Sequence, residues 1–120
     1  MFVTSHQAHF HGRIEQLPEY EPVAGSKRAG EDALRTRIPA LAEAGIGVVV
    51  VSGDMIEGTI TAKLLERSHK GALDSRREAA GRLYSVAEFA REVASAAVEE
   101  IPAENTRYVG DITGFTAATG

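Results

Sequence analysis

The segment IGVVVVS, residues 46–52, constrains this chain more than any other stretch. Four consecutive valines are stiff at χ1 and apolar on both sides, so they predict a strand buried on both faces. Such a strand belongs to a parallel sheet with helices packed above and below it. The flanking chain supplies further strands: Met1–Thr4 (MFVT) is short and β-prone, and Thr106–Val109 (TRYV) reads as a last strand. A domain whose first residues already form a core strand reads as the later part of something larger.

Between the first two strands lie a polar stretch, residues 5–21, read as a long loop rich in His and Glu, and then a helix. Pro22 suits the first turn of that helix, because the N–H it lacks would be unpaired there anyway. The helix is expected to run to Ala44, with Leu34, Ile38, Leu41 and Ala42 on one stripe, core or interface. Pro39 should kink or split it, and Gly45 should stop it. Strand, helix and strand in this order predict a right-handed crossover.

After the valines, SGDMIEGT leaves the strand, and an amphipathic stretch at 59–69 carries Ile60, Leu64 and Leu65. Ser75 with Glu78 and Ser85 with Glu88 are two candidate capping boxes. The second is the better, because Tyr84 and Phe89 supply a hydrophobic staple. The helix it opens should place Val86, Phe89, Val93, Ala97 and Ile101 on one face and end at Pro102. Strands and helices in alternation give an α/β layer of about three parallel strands flanked by three to four helices. Residues 1–110 form one domain in this reading, and residues 111–120 (DITGFTAATG) a flexible tail.

Composition bounds the function classes. A net charge of −4 and a pI near 5.5 argue against a nucleic-acid surface. With no cysteine there is neither a disulfide framework nor a thiolate metal site. No apolar run approaches the roughly 20 residues of a spanning helix, and the N-terminus lacks the long apolar core of a signal peptide. A cytoplasmic setting without membrane contact is the expectation.

The order of these features resembles the second half of a short-chain dehydrogenase/reductase. The resemblance covers nearly the whole chain, from MFVTS to YVGD. In that family a strand ends on a catalytic serine, matched here by Ser5. A helix carries a Tyr-x-x-x-Lys pair, of which Lys27 matches the lysine. SGDMIEGT resembles the family's turn after the buried strand, with Gly53 and Asp54 where Pro and Gly are usual and Thr59 near the expected threonine. GRLYSVAEFAREVASAAV resembles its penultimate helix. The resemblance implies a partial Rossmann-like sheet, NAD(P)-linked chemistry on a carbonyl or alcohol, and subunit contacts through the 22–44 helix and last strand. It assigns cofactor contacts to Lys27, Gly53, Asp54, Ile56 and Thr59.

Two departures stand against these matches. No G-x-G-x-x-G occurs, and Gly25 and Gly30 lie inside a helical pattern, so a complete dinucleotide site cannot be built from this chain alone. The residue four before Lys27 is Val23, which has no proton to give. The nearest phenol, Tyr20, would be about 10 Å away along a continuous helix. Pro22 should push Glu21 toward an extended conformation and leave Tyr20 in the loop. If catalysis exists, Ser5 orients the carbonyl, Tyr20 is a displaced acid and Lys27 an electrostatic helper.

Other residues carry two readings each. His6, His9 and His11 offer three imidazoles to a zinc ion with Glu15 or Glu19 completing a set, or form a polar loop. Extended backbone would gather His9 with His11, and helix would gather His6 with His9. Ser5 could serve as a local backbone cap. Asp54 and Glu57 are either an acid–base or metal-holding pair or an exposed acidic turn. Ser-His-Asp chemistry is not expected, since no G-x-S-x-G surrounds any serine. Three functions follow: a reductase descendant with incomplete activity, half of a split enzyme completed by a separate nucleotide-binding chain, or a small-molecule-binding or assembly module. Each leaves a sheet edge and an apolar face to be covered, so a homodimer or higher oligomer is expected.

Overall fold

The computed structural model describes residues 1–112 and Phe115. It is an α/β fold around a three-stranded parallel sheet in the order β1-β2-β3. Strand β1 is Phe2–Ser5, β2 is Val50–Gly53 and β3 is Thr106–Val109. Register pairs Thr4 with Ser52 and Ser52 with Tyr108, so these three lie across one row of the sheet. The expected strand at 46–52 is thus shorter and shifted: Val48 and Val49 are buried, but ladder pairing begins at Val50. Val49 still contributes its carbonyl to the Phe2 N–H at 3.0 Å.

The described α-helices number six, more than the three to four expected, and one begins inside the presumed loop. Helix α1, His6–His9, starts because the Ser5 hydroxyl accepts the Ala8 N–H at 3.2 Å. Helix α2, Glu21–Arg35, begins one residue before Pro22, with Tyr20 as its N-cap in helical geometry (φ −94°, ψ −18°). Pro22 therefore did not force Glu21 out of the helix; it occupies the first turn, where no N–H is required. The long helix divides at Thr36–Arg37, and α3, Ile38–Glu43, follows with Pro39 in its first turn. Gly45 (φ +81°) stops α3: its N–H reaches the Ala42 carbonyl at 3.0 Å and the Ile46 N–H the Leu41 carbonyl at 2.8 Å. That pair of bonds is the Schellman arrangement, which favours glycine at its left-handed position.

Helix α4 is Ile60–Ser68, α5 is Ala72–Ala80 and α6 is Val86–Val98. Ser75 lies inside α5 and caps nothing. Gly71, at φ +90°, precedes that helix instead, and the Glu66 carboxylate takes the Gly71 and Leu73 N–H groups. The second candidate box is present: Ser85 and Glu88 satisfy each other's backbone N–H groups, and this pairing with Arg82 holds the Glu88 carboxyl down to about 2. The buried face of α6 is Phe89, Val93 and Ala96, while Val86 and Ala97 face outward and the helix stops at Val98, before Ile101.

The two faces of the sheet are covered differently. On one, Phe89, Val93 and Ala96 of α6 pack on Val49, Val51 and Val109 as an apolar layer. Gly53 is required there, because a β-carbon at that position would collide with the Phe89 ring. The other face mixes apolar side chains, Phe2 and the fully buried Val50, with buried polar ones. Thr4, Ser52 and Thr106 are buried beneath α1 and α2, His6 Nδ1 is 2.7 Å from Ser52 Oγ, and Glu31 is fully buried. The expected tail, residues 111–120, lies largely outside the described residues.

His6 couples this packing to pH. Burial pushes its imidazole down from 6.5 to about 4; the Asp54 carboxylate works against that, and the charges of Arg76 and His9 with it. The unfolded chain takes up the proton first, so stability is complete above pH 6.5 and falls as the pH drops toward 4. Urea unfolding at pH 7 and pH 5 should differ by about 2 kcal/mol from this residue alone. His6→Gln is expected to remove that difference, and an unchanged pH dependence in the variant would show that His6 is not its source.

Candidate functional site

A cavity of about 840 Å³ opens at the C-terminal ends of β1 and β2. That is where parallel α/β sheets commonly place ligands, because the loops leave the strands there. Its floor is Ser5 of β1 and the turn that follows Gly53. Leu17, Tyr20 and Lys27 form one wall, and α4 and α5 close over the top through Ala62, Leu65, Ser75 and Arg76.

Ser5 and Tyr20 meet in this cavity, their hydroxyls 3.1 Å apart. Because Ala8 N–H already donates to Ser5 Oγ, that oxygen is both the cap of α1 and half of the pair. Tyr20 is 8% exposed and packs against Ala8 and Ala24, with Leu17 and Leu65 beside it. The turn into α2 explains its place: the Tyr20 N–H is bonded to the Leu17 carbonyl at 2.9 Å, and its own carbonyl takes the Ala24 N–H at 2.8 Å. The phenol therefore belongs to the start of the helix, correcting its expected place in the loop. Lys27 sits seven residues on, which in a helix is the same face two turns away, about 10 Å along the axis. It lines the cavity and forms no ion pair among the described residues. Val23, where a tyrosine would complete the Tyr-x-x-x-Lys pattern, is 42% exposed and does not line the cavity.

The seven residues that the resemblance assigned to catalysis or cofactor contact, Ser5, Tyr20, Lys27, Gly53, Asp54, Ile56 and Thr59, all line this cavity. Three of them are already committed. Gly53 is closed off by Phe89. Thr59 caps α4, donating to the Ile56 carbonyl at 2.9 Å and accepting the Ala62 N–H at 3.2 Å. Asp54 holds Arg76 through both oxygens, at 3.1 and 2.5 Å. Glu57 likewise holds Arg77, so the two carboxylates of the turn are latches for α5 and not a free acid–base or metal-holding pair. Across the opening, His69 Nε2 meets Glu19 at 2.5 Å, which pulls the Glu19 carboxyl below its usual range. The α4–α5 segment is thus a lid pinned on both sides.

The histidines do not converge. His6 faces Ser52, His9 faces Glu31 and Tyr108, and His11 faces Glu21 at 2.7 Å. No group of three or more metal-ligating side chains gathers among the described residues. No described helix is long and apolar enough to cross a membrane. For a nicotinamide dinucleotide, the donors present suit only the reactive end: the Ser5–Tyr20 pair and Lys27 fit it, and no glycine-rich turn is available for the diphosphate. Comparison of the chain with protein-family models, curated proteins and solved structures finds no match.

Arginine side chains that bind the lid were the features hardest to foresee, since Arg76 lies 22 residues from Asp54 and no motif joins them. Replacing Arg76 with alanine is expected to free α5 and speed tryptic cleavage after Lys70 severalfold at constant global stability. Cleavage at the wild-type rate would mean that the latch does not hold the lid.

Proposed function

We propose that this chain is the proton-handling half of an NAD(P)-linked oxidoreductase acting on a carbonyl–alcohol pair, as its resemblance to the short-chain dehydrogenase/reductases implies, and that it is incomplete alone. The observation that carries this reading is the 3.1 Å contact between Ser5 and Tyr20 at the strand ends, inside a cavity that Lys27 also lines. In this scheme the Ser5 hydroxyl orients the carbonyl oxygen by hydrogen bonding. Tyr20 passes its proton to that oxygen as the carbonyl is reduced, and receives one in the reverse direction. Lys27, two turns away, offsets the charge left on the phenol at a distance. A bound nicotinamide supplies or accepts the hydride. The diphosphate and adenosine would be held by a separate nucleotide-binding chain.

The free edge of β1 offers the place for that chain. The strand pairs only with β2 among the described residues, and Met1 and Val3 beside it are half exposed. An open edge of this kind accepts another strand through its unpaired backbone groups. A second reading, a module that binds small molecules without redox chemistry, is favoured by the commitments of Asp54 and Thr59 to the lid and to helix α4.

NADH and NADPH titrated into the isolated chain should bind no tighter than millimolar, with shifts centred on the amides of residues 53–59 and on Lys27. Micromolar binding would contradict an incomplete site, and silence at these residues would favour the non-redox module. The absence of cysteine agrees with a reducing cytoplasmic setting. Ile46, Val98 and Ile101 are 52%, 85% and 48% exposed, and these apolar side chains favour self-association. Light scattering is expected to report a dimer or larger species, and a monomer across a wide concentration range would refute this.

A further inference from the structure

Outside the cavity, on the face of the sheet beneath α1 and α2, three side chains from three elements form a chain of hydrogen bonds. Glu31 of α2 meets His9 Nδ1 with both oxygens, at 3.0 and 2.9 Å. His9 Nε2 lies 3.0 Å from the Tyr108 hydroxyl of β3. Burial grades along the chain: Glu31 is wholly buried, the His9 side chain is 10% exposed, and Tyr108 is 37% exposed. The Tyr108 ring is held by stacking on Phe10, with centroids 5.9 Å apart and planes 9° apart.

This geometry fixes the tautomer. Burial alone would raise the Glu31 carboxyl, but hydrogen bonds from His9 and Arg35, with the charges of His9 and Arg28, hold it below its usual range. When His9 is the neutral tautomer protonated on Nδ1, Glu31 accepts that N–H and the Nε2 lone pair faces the Tyr108 hydroxyl. A carboxylate orienting an imidazole that faces a hydroxyl is the arrangement that makes a weak nucleophile usable. Charged neighbours of the pair are Arg28 and Arg35 of α2, Glu104 before β3, and Arg13. Arg13 forms no ion pair among the described residues, and its positive charge acts on the Tyr108 phenol.

We propose that Tyr108, activated by His9 and positioned through Glu31, is an acyl-acceptor site for exposed acyl donors with a good leaving group. The phenol oxygen attacks the acyl carbon while its proton passes to His9 Nε2. The bond to the leaving group then breaks, and that group departs with the proton from His9, leaving an ester on Tyr108. No redox partner is required, and the site is independent of the cavity chemistry.

The test is p-nitrophenyl acetate on the full chain, with nitrophenol release followed in solution and acetylated tyrosines mapped by mass spectrometry. Tyr84, half buried and lacking a histidine partner, is the internal reference. Tyr108 should be acetylated well ahead of Tyr84, and Tyr108→Phe should remove the fast phase. His9→Gln should slow acetylation of Tyr108 about a hundredfold and leave that of Tyr84 unchanged, which also reports that the variant is folded. In the wild type the fast phase should not require prior ionisation of the phenol, because His9 takes the phenol proton during the attack. In His9→Gln it should rise only with ionisation of the phenol, which burial pushes above its ordinary value. Equal rates at Tyr108 and Tyr84, or a Tyr108 rate indifferent to His9, would overturn the proposal.

Discussion

The buried carboxylate of Glu31 is the interaction on which the α1–α2 side of this fold depends. It lies at 0% exposure between the sheet and α2, where an unpaired charge would be prohibitive. Three cationic or donating groups meet it: His9 at 2.9 Å, Arg35 at 2.8 Å and Arg28 at 3.4 Å. Together they tie Glu31 to α1 and to the start of β3. His9 brings α1 and, beyond it, Tyr108. Arg28 also donates to the His9 carbonyl at 2.6 Å. Arg35 reaches on to the Glu104 carbonyl and to Thr106 Oγ1, at 2.8 and 2.7 Å, and so anchors the start of β3. A network of this kind adds little net stability over apolar packing, but breaking any one member leaves a buried charge without its partner.

That choice explains the unequal layers. Hydrophobic burial against α6 is non-directional and supplies the general driving force. The Glu31 layer is directional: it specifies where α1 ends, how α2 lies across the sheet, and which strand stands third. With α1 held in this way, Ser5 both caps the helix and faces Tyr20, so the geometry of the cavity rests on the network behind it. The lid is attached by the same means, through arginines of α5 reaching the carboxylates of the turn after β2.

Local signals were readable where local chemistry decides the outcome. The Ser85–Glu88 box, Gly45 and the last strand appear as expected and the valine run is buried as expected, though its strand is shifted to Val50–Gly53, because stiffness, capping and left-handed backbone act over a few residues. The helix α1 was not foreseen, since Ser5 reads equally as the end of a strand and as a cap, and both roles hold. Tyr20 was misplaced because proline's influence on the preceding residue was weighted above the backbone bonds that the turn at Leu17 provides. The cavity residues were legible as a set but not in their engagements: Thr59 and Asp54 are occupied by partners that no spacing announces.

The sequence by itself determined an α/β layer with a parallel centre, because an unbroken apolar β-branched run has no stable alternative to burial on both faces. It also placed Ser5 and the turn after the valines at strand ends. Only the tertiary structure decided which polar groups meet. His9 and Tyr108 are 99 residues apart, and His9 and Glu31 are 22. Hydrogen bonds of that span depend on the register of three strands and the tilt of a helix, and those are settled by packing over the whole molecule.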